Sequence, residues 1–324
     1  MQWKLARRSH LVERYHEWAM RRGFPFLLRV APKMPRWTLR LCARWTMRAV
    51  MVVYRHPQRA IERNLRRIFG PAVSAAEIRR ARRQVIYHLG YYWADLFRLC
   101  QLPYEETKKE LARVEGFEHL EEAVASGKGA VLLTAHLGNW ELGGVFLREK
   151  KLPVSVVYVP DQSPTAEAFR GQLRRGSEIH EIAIDPKAEL SSLPVLRALK
   201  EGRIVALQGD RDFNDRGEWV DFLGTPAPFP LGPFQLARIT GAVLLPSFIV
   251  YDPEYRFEIH IGSPIRVDQG ERGEAIRRGL AEWVAVLEKA VRRWPTQWYT
   301  FYDFWGQEPR PAAERPEPAR QEAV

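Results

Sequence analysis

AVLLTAHLGNWELGG, residues 130–144, is the stretch from which the rest of the chain can be read. An apolar, β-prone run (130–134) delivers His136 to a small turn, Leu137-Gly138-Asn139, which opens onto a helix-like segment. Were His136 and Glu141 on one regular helix, five residues at about 100° each would set them roughly 140° apart. They can meet only if the histidine closes a strand and the glutamate begins a helix. In that layout a carboxylate accepts a hydrogen bond from one imidazole nitrogen and leaves the other to take a proton. His136 is the candidate base and Glu141 its candidate orienting partner. The H-E-x-x-H spacing of helical zinc sites is absent, and no metal is expected. Gly127-Lys128-Gly129 lacks the long frame of a phosphate loop.

Outward from this stretch, the chain alternates strand-like and helix-like runs from about residue 115. Strand-like runs fall at 130–135, 154–159, 179–184, 203–208, 243–250 and 256–262. Helical runs fall at 139–149, 164–174, 188–200, 232–240 and 271–293. This alternation predicts an α/β fold with a mostly parallel central sheet flanked by helices. The last two strands, joined around Asp252-Pro253, suit an antiparallel hairpin at its edge. Residues 1–100 read as helical at 9–22, 35–54, 57–68 and 75–100, with Gly70-Pro71 as a break. The expected organisation is a helical, basic region over 1–110, an α/β domain over 111–305 and a disordered tail over 306–324 rich in Pro, Glu and Arg.

Charge is uneven along the chain. Residues 1–88 hold 21 Lys and Arg against four acids, whereas the remainder holds 29 against 35. A basic arm on a near-neutral body points to an anionic surface or polymer. In 36–54, Arg36, Arg40, Arg44 and Arg48 recur every fourth residue among Leu39, Leu41, Cys42, Trp45, Met47 and Val50. That is the composition of an interfacial amphipathic helix with a basic stripe, so an anionic membrane surface is the expected partner. No window is long and apolar enough to span a bilayer, and the first residues lack the apolar core of a signal peptide. No zinc-knuckle, homeodomain or RNA-binding signature supports nucleic acid as partner. Two cysteines, Cys42 and Cys100, make no disulfide framework and read as core residues.

Residues 208–234 form a second constellation: a long polar segment, rich in Gly and Pro, directly after the strand at 203–208. The carboxyl end of a sheet strand is where α/β proteins place ligand sites. Asp210, Arg211 and Asp212 stand there, followed by an aromatic and proline cluster around Phe229. Gly232 opens the next helix, whose free N–H groups suit an anion. A third segment sets Arg170 and Arg174 one helical turn apart, as phosphate contacts or as a solvated face.

The string His136-Leu-Gly-Asn-Trp-Glu141 resembles the H-x-x-x-x-[DE] signature of the lysophospholipid acyltransferase superfamily. The fuller LLTAHLGNWELGG is similar to its bacterial lipid A (lauroyl/myristoyl) acyltransferase branch. Supporting matches follow in order at Asn64-Leu65, RGQLRRG (170–176), LKEGRIVALQGDRDF (199–213) and FLGTPAPFPLGPFQLARITGAVLLP (222–246), so that the resemblance covers roughly 45–305. Three features depart from the branch: a transmembrane helix commonly starts it and is not evident in this sequence, Asp210-Arg211-Asp212 stands where D-[QH]-D is common, and WPTQWYTFYDFW (294–305) replaces a W-x-H-[RK]-R-[FW] type ending.

The resemblance implies an O-acyltransferase acting on a membrane lipid acceptor, with an acyl carrier protein or coenzyme A thioester as co-substrate and no other cofactor. It implies a peripheral or shallowly inserted place on the cytoplasmic face of the inner membrane. His136 and Glu141 would be catalytic. Backbone amides near Gly138-Asn139, or the Asn139 side chain, would meet the thioester oxyanion. Arg170, Arg174 and Arg211 would hold phosphates, with Asp210 and Asp212 beside them, and Phe229 and Gly232 would border an acyl groove. A lysophospholipid or glycerol-phosphate acyltransferase is the alternative. Its F-P-E-G-[ST] block has as nearest match Phe229-Pro230-Leu231-Gly232-Pro233, without the glutamate. A non-catalytic membrane-binding protein on the same fold is the alternative outside enzymes.

Overall fold

A computed structural model describes residues 22–306 apart from 54–55, 148–149, 151, 161–166, 168–170, 172–179, 186–187, 189–190 and 214–215. The predicted helix at 9–22 and the tail lie almost wholly outside these residues.

The sheet is built on β2 (Ala130–Thr134), whose side chains are buried on both faces. Val131 and Leu133 enter the larger core, and Ala130 and Leu132 enter a second one beneath the other face. A strand with four consecutive apolar residues, Ala130 to Leu133, suits the centre of a parallel sheet, where helices cover both sides. β5 (Ile204–Gln208) and β8 (Val243–Tyr251) pair with it in parallel on either side. β3 (Val154–Tyr158) and β4 (His180–Ala183) extend the sheet beyond β5. β9 (Phe257–Ile261) pairs antiparallel with β8, as the sequence predicts, and β1 (Leu111–Glu115) closes that edge in parallel with β9. The order across the seven strands is β1-β9-β8-β2-β5-β3-β4. Residues 218–229, read from sequence as part of one long loop, instead contain a separate antiparallel hairpin, β6 (Glu218–Phe222) with β7 (Thr225–Phe229).

The helices, in chain order, are α1 (Phe24–Val30), α2 (Arg36–Val53), α3 (His56–Phe69), α4 (Ala75–Leu99), α5 (Tyr104–Lys108), α6 (Phe117–Ala125), α7 (Gly143–Leu147), α8 (Leu193–Lys200), α9 (Gly232–Thr240) and α10 (Arg272–Arg293). α4 starts where Ser74 and Glu77 form a reciprocal capping box, which satisfies two of the N–H groups a helix start leaves open. The larger core runs without a break from Leu28, Leu65 and Ile86 to Leu133, Leu244 and Trp283. The N-terminal helices therefore share the interior of the α/β part. Cys100 is buried as expected, whereas Cys42 is exposed on α2.

α2 corrects the reading of its own stripe. Arg36 and Arg40 face the body, where both pair with the fully buried Asp95 on α4, at 3.0 and 3.1 Å. Arg36 also pairs with Glu110, which Arg98 engages at 3.0 Å. The Tyr251 hydroxyl donates to Asp95 at 3.0 Å. The face turned outward mixes large apolar side chains with cations: Trp37, Leu41, Trp45 and Val52 are 69, 45, 62 and 70% exposed, and Arg44 and Arg48 are exposed among them. Two carboxylates elsewhere in the chain, the buried Asp95 and the half-buried Glu110, which no local periodicity reveals, turn the first arginines inward.

Candidate active site

Parallel pairing of β2 with β5 sets Thr134 opposite Gln208. Two residues further on, each chain carries its polar group: His136 after β2 and Asp210 after β5. The ladder continues as the Gly209 N–H donates to the Thr134 carbonyl at 2.8 Å. The imidazole Nδ1 and Asp210 Oδ1 then lie 2.8 Å apart. Oδ2 of the same carboxylate accepts from the His136 backbone N–H at 3.0 Å and from the Trp298 indole N–H at 3.2 Å. Asp210 is fully buried, and the His136 side chain is 13% exposed.

This geometry revises the pairing expected from sequence. The partner of Nδ1 is Asp210, a residue the sequence reading grouped with substrate binding. Glu141, expected to hold one imidazole nitrogen, stands half-buried in the 3-10 turn Trp140–Leu142, and Nδ1 faces Asp210. The sequence carries only a local hint of Asp210: two largely apolar strands, each followed after one small residue by a polar group that can share a proton.

Electrostatics keep His136 neutral at pH 7. Loss of water around the imidazole and the neighbouring Arg211 guanidinium outweigh the pull of Asp210, and its pKa falls to about 4. For Asp210, burial opposes ionisation, but the contacts with His136 and the charge of Arg211 prevail and its pKa falls to about 2. The pair at pH 7 is thus a carboxylate and a neutral imidazole, with the proton on Nδ1 and the lone pair on Nε2.

The C-terminal segment holds the site together. Leu137 and Trp298 form an antiparallel bridge, the Tyr299 N–H donates to the His136 carbonyl at 2.8 Å, and the Gly138 N–H donates to the Gln297 carbonyl at 2.8 Å. Gly138 has φ +69°, and a Cβ there would overlap the Ile249 carbonyl oxygen, so the turn requires glycine. The ring of Trp140 lies 5.1 Å from that of His136, with Tyr92 and Tyr299 at 5.0 and 6.1 Å from Trp140. These rings form an aromatic wall on one side of the imidazole. The importance of Trp298 and Tyr299 was not visible in the sequence, where their segment reads only as a departure from a familiar ending.

The oxyanion donors expected from sequence are engaged elsewhere. Besides Gly138, the Asn139 N–H donates to the Ile249 carbonyl at 2.7 Å. The fully buried Asn139 amide donates to the Tyr92 carbonyl at 3.2 Å. Asn139 is a brace for the histidine turn. Arg211 is brought to the site: it donates to the Tyr299 carbonyl at 2.7 Å, lies over the Tyr302 ring at 5.5 Å, and keeps a buried Nε–H with no partner. Asp212 accepts from the Gly217 N–H at 2.7 Å and so shapes the loop before β6. Phe229 is fully buried, with its ring centroid 5.4 Å from that of Phe222 and 6.0 Å from that of Phe304, and acts as core. Gly232 begins α9. Arg170 and Arg174 lie outside the described residues. Among the described residues no cluster of three His, Cys, Asp or Glu side chains forms a candidate metal site.

A base on one strand end and its carboxylate on the next suit proton removal from a hydroxyl during acyl transfer. The model for bacterial lipid A biosynthesis acyltransferases matches residues 6–306. The chain belongs to this family. The acyltransferase is 31% identical over 219 residues to a phosphatidylinositol mannoside acyltransferase of Mycobacterium tuberculosis (strain ATCC 25618 / H37Rv), covering 67% of each chain. It is 28% identical over 248 residues to the protein of that name from Mycolicibacterium smegmatis (strain ATCC 700084 / mc(2)155), covering 76% of this chain and 78% of the relative. It is also 26% identical over 175 residues to a lipid A biosynthesis acyltransferase of Haemophilus influenzae (strain ATCC 51907 / DSM 11121 / KW20 / Rd), covering 52% and 53%. The acyltransferase thus has relatives named for two different glycolipid acceptors.

Proposed function

We propose that this acyltransferase moves a fatty acyl chain from a thioester, carried by acyl carrier protein or coenzyme A, to a hydroxyl of a membrane glycolipid. The in-register His136–Asp210 pair carries the reading. The acceptor hydroxyl gives its proton to Nε2 of His136 as its oxygen bonds to the thioester carbon. Asp210 holds the tautomer and stabilises the imidazolium. The tetrahedral oxyanion collapses, the carbon–sulfur bond breaks, and the leaving thiolate recovers the proton from Nε2. With Gly138 and Asn139 engaged in bracing the turn, the Arg211 guanidinium is the positive group assigned to the oxyanion or to a phosphate of either substrate. Relatives acting on phosphatidylinositol mannosides and on lipid A support a glycolipid over a simple lysophospholipid acceptor.

The enzyme meets its acceptor at the membrane surface, on the cytoplasmic side where acyl thioesters reside. No helix among the described residues is long and apolar enough to cross a bilayer. The outward Trp37, Leu41, Trp45 and Val52 of α2 supply the apolar contact of an interfacial helix.

The test is mass spectrometry of lipids after incubating the purified protein with a bacterial membrane extract and each labelled acyl thioester. A labelled glycolipid ester made by the wild type and lost in His136→Ala is expected, and its mass names the acceptor. A label that persists in His136→Ala would overturn the assignment of the base.

A further inference from the structure

The arginines of α2 divide into two groups. Arg36 and Arg40 are neutralised by Asp95 and Glu110. Arg48, near the other end, has no carboxylate partner among the described residues; its guanidinium lies over the rings of Trp45 and Tyr87 at 5.1 and 5.6 Å. It opens onto a groove of about 520 Å³ between the last turns of α2, the first half of α3 and the middle of α4. Arg59, Arg82 and Arg83 line the same groove. The lone carboxylate among the lining residues, Glu62, is paired with Arg82 at 2.8 Å. Arg59 and Arg83 are exposed and, among the described residues, unpaired. The Nε–H of Arg82 is buried without a hydrogen-bond partner.

Three uncompensated guanidinium groups from three helices thus converge on one hollow, where mutual repulsion disfavours them unless an anion arrives. Guanidinium groups match phosphate oxygens two at a time, and the fork of donors is fixed before binding. Apolar residues line it as well: Met51 and Ile86 are buried and Val52 is exposed, and the amide of Gln58, a further polar lining residue, donates to the Met51 carbonyl. Val52 belongs to the outward apolar stripe of α2. A ligand that fits both chemistries has a phosphate at one end and hydrocarbon at the other.

We propose that this groove seats the phosphate headgroup of one anionic phospholipid, with its chains along Val52 and the Trp45 side of α2. The site is separate from the His136 pair and rests on the membrane attachment proposed above. Bound lipid would fix α2, α3 and α4 at the surface in one orientation, which diffuse attraction to a charged surface does not do.

The experiment uses the full chain, dihexanoyl-phosphatidylglycerol below its micellar concentration, and vesicles of phosphatidylcholine with or without phosphatidylglycerol. Calorimetry of the wild type is expected to give one saturable site for the short-chain lipid. Arg59→Glu with Arg83→Glu should abolish that site and weaken binding to anionic vesicles about tenfold or more, with binding to neutral vesicles kept. Because both side chains are exposed, folding should be intact, which circular dichroism checks, and Arg59→Lys with Arg83→Lys should restore part of the affinity. Wild-type affinity of the glutamate variant for anionic vesicles would overturn the proposal. So would equal binding of glycerol phosphate, which lacks the chains, or displacement of the lipid by duplex DNA. Trp37→Ala with Trp45→Ala tests the underlying attachment by itself: unchanged binding to neutral vesicles there would sink the membrane reading, whatever the arginine variants do.

Discussion

The Trp298 indole N–H donates to Oδ2 of Asp210 at 3.2 Å, while Oδ1 of the same carboxylate faces Nδ1 of His136 at 2.8 Å. One oxygen is anchored so that the other is reserved for the imidazole. Trp298 is a positioning residue acting through Asp210. Trp298→Phe keeps most of the packing but removes the donor; without it the carboxylate attracts the Nδ1 proton more strongly. The acid limb of kcat/KM should move to higher pH, and the rate at pH 7 should fall about ten- to a hundredfold, in line with the ~1.5–3 kcal/mol of a hydrogen bond to a charged group. A pH profile superimposable on the wild type would deny Trp298 this role.

Asp210→Asn and Glu141→Gln separate the two candidate orienting groups. An amide at 210 can present an N–H to Nδ1 and favour the wrong tautomer, so kcat should drop on the order of 10³–10⁴-fold, by analogy with histidine–aspartate hydrolase triads. Glu141→Gln should stay within about tenfold of the wild type, since Nδ1 keeps its partner. Steady-state rates at pH 7 check this, and the reverse ranking would return the role to Glu141.

The depressed pKa of His136 predicts two pH effects. Its base form should persist in the free enzyme down to about pH 4, so the acid limb of kcat/KM should lie well below that of an ordinary histidine. Stability moves with it. The unfolded chain takes up the proton near pH 6.5 and the folded one only near 4, so this stability is complete above 6.5 and is lost as pH falls between those values. The loss is of order 3 kcal/mol at about 1.4 kcal/mol per unit. Urea unfolding at pH 7 and pH 4.5, with His136→Gln beside the wild type, should show a smaller decline in the variant.

Gly138→Ala should fail to fold or lose most of its thermal stability, because positive φ and overlap with the Ile249 carbonyl act together. A Tm within a few degrees of the wild type would show that the turn can shift.

Asp95→Asn leaves Arg36 and Arg40 without their buried counter-charge. A cost of about 3–5 kcal/mol in urea unfolding is expected. Hydrogen exchange should rise first along α2, since its inward face is held through these pairs.

Most of the α/β order was legible because a central parallel strand such as 130–134 opens with a continuous apolar run, Ala130 to Leu133, and is bounded by breaks. The partner of His136 was not, since it depends on β2 and β5 being neighbours in space, and chain order alone does not give that. The hairpin at 218–229 was obscured by Pro226 and Pro228, which argue against a strand in a wide sheet but are accommodated in a two-stranded ribbon. β1 is short and charged at Arg113 and Glu115, and only its place at the sheet edge makes it a strand. The four-residue arginine period in α2 marks a helix, but only its second half, Arg44 and Arg48, lies on the exposed face, whereas Arg36 and Arg40 turn inward. Which face turns inward was decided by Asp95 and Glu110, far along the chain.

The clamp made by residues 297–299 has a consequence for the order in which the enzyme comes into being. On the ribosome, His136 emerges long before the carbonyl of Gln297, the indole of Trp298 and the amide of Tyr299 that steady its loop. The sheet has every strand it needs by residue 261, yet its reactive end stays unbraced until the chain nears 300. A nascent chain stalled after α10 would hold a nearly complete fold with an untethered histidine turn. Acyl transfer would begin only once the last helix and the stretch behind it have cleared the exit tunnel.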